Sequence, residues 1–229
     1  SKTITTEELD IARKCLSHRG PDDSGLTENS EYLVGLTQTR LSIQELSKAG
    51  HQPMRSDDGN AVLVFNGEIY NFRELRAELE LEGVQFRGNS DTEVLLNLYQ
   101  AQGAEILSRL NGIFSFAIWD EVEKKLFLAR DALGVKPLYY AALEDRFVFA
   151  SEIKALTPLM PVLGNLDEEA LDRYMTYLWC PGDGTPSQLI RKLLPGQAMW
   201  VKAGQIERSW KWYRLPIARV KTKARFSTE

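Results

Sequence analysis

Cysteine is nearly absent from this 229-residue sequence. Its two thiols, Cys15 and Cys180, are too few for a disulfide framework and point to a reducing, cytoplasmic setting. Histidine is as sparse, with only His18 and His51. That excludes a His-rich metal site, and no Cys-x-x-Cys, His-Glu-x-x-His or calcium-loop spacing occurs. Long apolar runs are missing too. Stretches such as Ala61–Phe65 fall far short of the ~20 residues that span a bilayer, and the polar start Ser1–Glu8 has no signal-peptide core. There is no basic surplus: 28 Lys and Arg face 32 Asp and Glu, a net charge of −4. Neither nucleic acid nor a membrane is therefore an expected partner. The one basic cluster, Arg219–Arg225, reads as a solvated terminus.

What is present is an ordinary globular composition, 43% apolar and 26% charged. The length corresponds to one full domain plus a partial one at roughly 150 residues each. Thr5 with Glu8 forms a capping box, and Leu9, Ala12 and Leu16 follow at helical spacing. Residues 31–37 and 61–65 read as strands, the second ending at the Asn66-Gly67 turn. Asn71 is placed to cap a helix over 72–81, with Glu74 at the reciprocal position. Ser90 with Glu93 opens another that ends at Gly103. From Asn111 the period changes to two, which predicts a hairpin of 113–119 and 125–130, then strands at 137–141 and 146–150. Helices beside consecutive hairpins make an α+β pattern. A composition shift near Pro161 sets a boundary between a domain at 1–160 and a connector at 161–229. The connector holds a helix capped by Asp167 and a hairpin over 197–210.

Several residues could carry chemistry, and each also has a plain structural reading. Asn66 and Gly67 sit where a buried strand stops. A side-chain amide beside a glycine peptide makes a pair of donors for a developing oxyanion; equally, Asn-Gly is a common turn. Arg40 can clamp a carboxylate through two parallel hydrogen bonds, or form a strand-end ion pair. Asp91 follows an N-cap, where the helix dipole alone favours an acid. Together, Arg40 for a carboxylate and Glu68 or Asp91 for an ammonium suit an α-amino acid. His18 and Arg19 read as cations offsetting a helix C-terminus. Cys15 reads as a core thiol, since nothing near it in sequence lowers its pKa.

The motifs HRGPD (18–22), TRLSI (39–43), GHQPM (50–54), FNGEIYNFRELR (65–76), SDTEVLL (90–96), RLNGIFSFAIWD (109–120), ARDALGVKPLYY (129–140) and FASEIKAL (149–156) stand in one order. This series resembles the class II glutamine amidotransferase domain of bacterial asparagine synthetases. The resemblance continues more weakly into KLLPGQ (192–197) and WYRLP (212–216). It implies a four-layer αββα sandwich of the N-terminal-nucleophile hydrolase type and hydrolysis of glutamine to glutamate and ammonia. By position, Asn66 and Gly67 match the oxyanion hole and Arg40 the carboxylate clamp. Glu68 and Asp91 match contacts to the amino group, with backbone contacts at Leu41 and Ile43. No cofactor is implied for this chain. ATP and Mg2+ belong to a C-terminal synthetase domain, the expected partner within one polypeptide, and the resemblance leaves room for a homodimer.

The nucleophile that the resemblance implies is a Cys at the mature N-terminus, whose own α-amine (pKa about 7.7 in model compounds) is the general base. Here the first residue is Ser1. Neither Cys15 nor Cys180 matches that position, and the opening strand that carries the nucleophile is not found before the first helix. The expectation is a fragment of a larger gene product, inactive alone. The alternative is an inert module that keeps the fold as a structural domain.

Overall fold

Thr5 and Glu8 open the first helix as their spacing predicts. The Thr5 hydroxyl accepts from the Glu8 N–H at 3.1 Å, and the Glu8 carboxylate accepts from the Thr5 N–H at 2.7 Å. A computed structural model describes residues 4–29, 31, 34–40 and 50–216. In chain order these form α1 (Thr6–Cys15), β1 (Asp23–Asn29), β2 (Val34–Arg40), β3 (Met54–Arg55), β4 (Ala61–Ile69), α2 (Phe72–Leu81), α3 (Asp91–Gln102), β5 (Gly112–Asp120) and β6 (Lys125–Arg130). Then follow β7 (Tyr139–Ala142), β8 (Phe147–Ala150), α4 (Ile153–Leu156), α5 (Glu168–Tyr177), β9 (Arg191–Lys192), β10 (Gln197–Lys202) and β11 (Gln205–Lys211).

The strands group as a six-stranded sheet ordered β11-β10-β6-β5-β4-β3, a pair β1-β2 and a three-stranded sheet β8-β7-β9, with antiparallel neighbours throughout. Successive side chains of a strand point to opposite faces, and the large sheet uses both. Leu63, Phe65, Phe116, Ile118 and Phe127 pack toward Leu75, Leu79, Val94 and Leu98 of α2 and α3. Val62, Val64, Ala117, Leu128 and Met199 pack the other way, with Leu36 and Tyr140 of the smaller sheets. Ala141, Val148 and Ile190 pack on Leu9, Ala12 and Leu156 of α1 and α4. Three apolar interfaces therefore separate four layers, helix–sheet–sheet–helix.

The elements depart from the sequence expectations in instructive places. β4 does not stop at Asn66. It runs on to Ile69, because β5 stays paired through Asn66↔Ser115 and Gly67↔Phe114. Asn71 stands at the N-cap of α2, but its side chain does not cap the helix. Its Nδ2 donates to the Arg109 carbonyl at 2.9 Å and its Oδ1 accepts from the Asn111 N–H at 3.0 Å, so it ties α2 to the start of β5. The Ser90 hydroxyl does accept from the Glu93 N–H, but the Glu93 carboxylate turns to the N–H groups of Arg87 and Gly88 instead of closing the box. β1, β3 and β9 carry no strong alternation and were not foreseen. Beyond Pro161, β9 joins β7 and β10 joins β6, so this stretch supplies strands to the three-stranded and the six-stranded sheet.

Between β2 and β8 lies a hollow of about 90 Å³ lined from one side by Gly35–Gln38 and from the other by Phe147–Ser151. Among the described residues, β2 pairs only with β1 and β8 only with β7.

Candidate active site

β4 presents its far edge, from Phe65 to Glu68, to a hollow of about 260 Å³. β2 brings Arg40 to it, β4 brings Asn66, Gly67 and Glu68, and the first turn of α3 brings Asp91. These five predicted residues thus share one cavity. Leu41 and Ile43, the other two predicted contacts, lie outside the described residues. Sequence reasoning missed Gln38, Gln52, Lys136 and Ser151, which line the same cavity. Each sits in or beside a motif (TRLSI, GHQPM, GVKPLYY, FASEIKAL), but nothing in its spacing marked it out.

Gly67 is needed for close approach rather than for a turn. A Cβ there would strike the Ile113 carbonyl oxygen and come within 2.7 Å of Phe114 Cα on β5. Phe114 turns its own N–H and C=O away from Gly67, to the Asp131 carboxylate at 3.2 Å and the Asp131 N–H at 2.7 Å. Gly67 and Phe114 are therefore a non-hydrogen-bonded pair, and the Gly67 N–H points out of the sheet's ladder. Its neighbours on that edge are occupied. The Phe65 N–H donates to Gln52 Oε1 at 2.7 Å, and the Ile69 N–H donates to Asp91 Oδ2 at 3.0 Å. No acceptor for the Gly67 N–H is found among the described residues. Beside it, the Asn66 side-chain amide reaches the Ser151 hydroxyl at 3.5 Å.

Charges of both signs surround these donors. Asp91 is buried, and burial pushes its carboxyl above the usual aspartate value. The N–H groups of Ile69 and Thr92 oppose that shift, while the Glu68 charge adds to it. The Arg40 guanidinium lies over Gly50, where a Cβ would meet Nη2. Arg19 also lines the cavity and binds Glu152 at 3.0 Å, with His18 on the same carboxylate at 2.9 Å. His18 therefore serves an ion pair next to the cavity, and no dyad with Cys15 is needed to explain it. Burial pulls Glu152 upward, but hydrogen bonds from Arg19, His18 and Lys154 outweigh it and hold the carboxyl at about 2.

Lys136 is delivered by a loop locked at both ends. The Asp131 carboxylate accepts N–H bonds from Phe114, Leu133, Val135 and Lys136 at 3.0–3.2 Å. The Arg130 guanidinium donates to the carbonyls of Lys136, Gly134 and Leu193, each at 2.6 Å. Neither Cys15 nor Cys180 is among the described residues that line the cavity. No group of three His, Cys, Asp or Glu able to hold a metal occurs among the described residues, and no helix there is long and apolar enough to cross a membrane. The arrangement offers two amide donors, cations and carboxylates around a space that fits a small zwitterion.

The chain is similar to several known proteins. A family model described as a glutamine amidotransferase domain matches residues 1–213. Asparagine synthetase [glutamine-hydrolyzing] 1 of Bacillus subtilis is 39% identical over 203 residues, which is 88% of this chain and 32% of that protein. A putative asparagine synthetase [glutamine-hydrolyzing] of Methanocaldococcus jannaschii is 35% identical over 198 residues, 79% of this chain and 38% of the relative. The chain thus spans about a third of the length of these relatives. Among solved structures, the glutamine phosphoribosylpyrophosphate amidotransferase of B. subtilis superposes with a TM-score of 0.67 at 20% identity, covering 90% of this chain and 46% of that one. That likeness gives the fold, an α+β sandwich.

Proposed function

Because the chain belongs to the class II glutamine amidotransferase domain family, we propose that it is the glutaminase part of an ATP-dependent, asparagine-synthetase-type ligase. Glutamine is hydrolysed to glutamate and ammonia, and the ammonia passes to an activated carboxylate, by default that of aspartate. The observation that carries this reading is the meeting of Arg40, Asn66, Gly67, Glu68 and Asp91 in one cavity, with the Gly67 N–H free of the β-ladder.

Each residue then has a task. Arg40 grips the α-carboxylate of glutamine, and Glu68 with Asp91 faces the α-ammonium. The side-chain carbonyl points between Asn66 Nδ2 and the Gly67 N–H. Those donors stabilise the oxyanion that forms when a nucleophile adds to the amide, and losing one such donor costs ~10²–10³ in rate. Backbone contacts at Leu41 and Ile43 complete the reading. As the family resemblance implies, the attacking thiol is that of an N-terminal Cys, with its α-amine as base. A glutamyl thioester forms, ammonia leaves, and water releases glutamate. ATP and Mg2+ act in the synthetase region, and the whole works in the cytoplasm. The test is a glutaminase assay of the full gene product with and without an N-terminal Cys→Ala change. Ammonia release that survives the change, or that is missing from both forms, contradicts the reading.

A further inference from the structure

Among the described residues, the edge of β4 that faces the cavity has no strand beside it beyond Leu63, where pairing with β3 ends. At Phe65 two glutamine side chains take the place of one. Gln52 Oε1 accepts the Phe65 N–H at 2.7 Å, and Gln38 Nε2 donates to the Phe65 carbonyl at 3.1 Å. Their carboxamides come from different parts of the chain, Gln38 from β2 and Gln52 from the segment before β3. Gln52 is 5% exposed. Four residues further along, Asp91 takes the Ile69 N–H at 3.0 Å. Gly67 lies between these anchored points and keeps its own N–H open.

We propose that Gln38 and Gln52 are positioning residues of this site: together they act as a one-residue surrogate strand that fixes Phe65 and thereby aims Asn66 Nδ2 and the Gly67 N–H into the cavity. The physical reason is backbone hydrogen bonding. A buried main-chain N–H or C=O must be paired, and an open edge residue bends toward whatever pairs it. With Phe65 held on both polar atoms, the next two peptides inherit one orientation. Both glutamines line the cavity. Their carboxamides are turned onto the protein's own groups, the Phe65 backbone and, for Gln52 Nε2, the Thr92 hydroxyl at 3.5 Å, which sets them apart from the ligand-facing groups proposed above. The inference rests on that reading only for which ligand the aimed donors meet.

The test uses nearly isosteric changes, because such swaps disturb packing least. Gln52→Met removes the acceptor, Gln38→Met removes the donor, and Gln52→Glu restores an acceptor. Amide hydrogen exchange and 15N–1H shifts are followed for Phe65, Gly67 and Ile118, the last at the fully buried centre of β5. In Gln52→Met, exchange at Phe65 is expected to rise about tenfold or more, the size of one lost hydrogen bond. The Gly67 resonance should move with it while Ile118 stays fixed. Gln52→Glu should return Phe65 and Gly67 toward their native behaviour. Gln38→Met should shift Gly67 without opening the Phe65 N–H. An unchanged Phe65 amide overturns the proposal, as does a rise that Ile118 shares equally or a Gly67 signal that ignores both changes. A parallel titration with L-glutamine separates the two readings. If the amides respond as expected and glutamine does not bind, the surrogate strand stands and the glutaminase reading fails.

Discussion

Replacing Asp131 with Asn changes one atom of a buried residue and should cost much of the domain's stability. Asp131 is 1% exposed. Its Oδ1 accepts from the N–H groups of Leu133 and Val135, and its Oδ2 from those of Phe114 and Lys136. An amide keeps one oxygen and turns an NH2 group toward two N–H donors. Two charge-assisted bonds are lost, each worth about 1.5–3 kcal/mol, and two N–H donors lose their acceptor. The expected loss is ~3–6 kcal/mol against a total stability of ~5–15 kcal/mol. At about 2–4 °C per kcal/mol for a domain of this size, the melting point should fall by at least ~6 °C. Urea titration of the native and variant chains, followed by tryptophan fluorescence, measures it directly. A loss below ~1 kcal/mol would refute the reasoning, because only an exposed or already unsatisfied carboxylate is that cheap to change.

Gly67→Ala forces a methyl group onto the β5 backbone, so stability should drop by about 1–3 kcal/mol and ammonia release by the full-length enzyme by ~10² or more; a fully active variant would contradict the proposed donor. Glu152→Gln removes a carboxylate whose folded pKa is depressed to about 2. Its stabilisation is present above the unfolded value of ~4.3 and is lost as pH falls toward that folded value. Since the group is partly exposed, screening limits the loss at neutral pH to ~1 kcal/mol, and native and variant stability curves should converge near the acid end. Divergence at low pH instead would refute the assignment. Asp91→Asn acts in the opposite sense. The native carboxyl is raised by burial, so its favourable contribution is present below ~3.9 and fades as pH rises through the higher folded value. The variant should lose less stability than the native chain from acid to neutral pH, yet hold glutamine worse. Parallel curves would count against it.

The α+β pattern was legible because its strongest signals were local. The Thr5–Glu8 box and the period-two run from Ile113 to Arg130 each specify an element without help from the rest of the chain. β1, β3 and β9 were not legible, since they are held by partners. β3 and β9 are two residues each, and β1 has an almost wholly polar sequence, so pairing decides them. Asn66-Gly67 misled for the same reason: the dipeptide favours a turn in isolation, and β5 overrides it. At the site, charged and turn-forming residues stood out, so Arg40, Glu68 and Asp91 could be named. Gln38 and Gln52 were invisible. An uncharged amide gains meaning only from the backbone atom it meets, and here that atom belongs to β4, 27 and 13 positions further along.

The most direct test is a titration of the isotope-labelled chain with L-glutamine, compared with an Arg40→Gln variant. Saturable shifts at Gly67, Glu68 and Asp91 that weaken about tenfold or more in the variant, roughly 1.4 kcal/mol of binding, are the predicted result. Shifts that cluster away from these residues, or that Arg40→Gln leaves unaltered, would contradict a single amino-acid cavity.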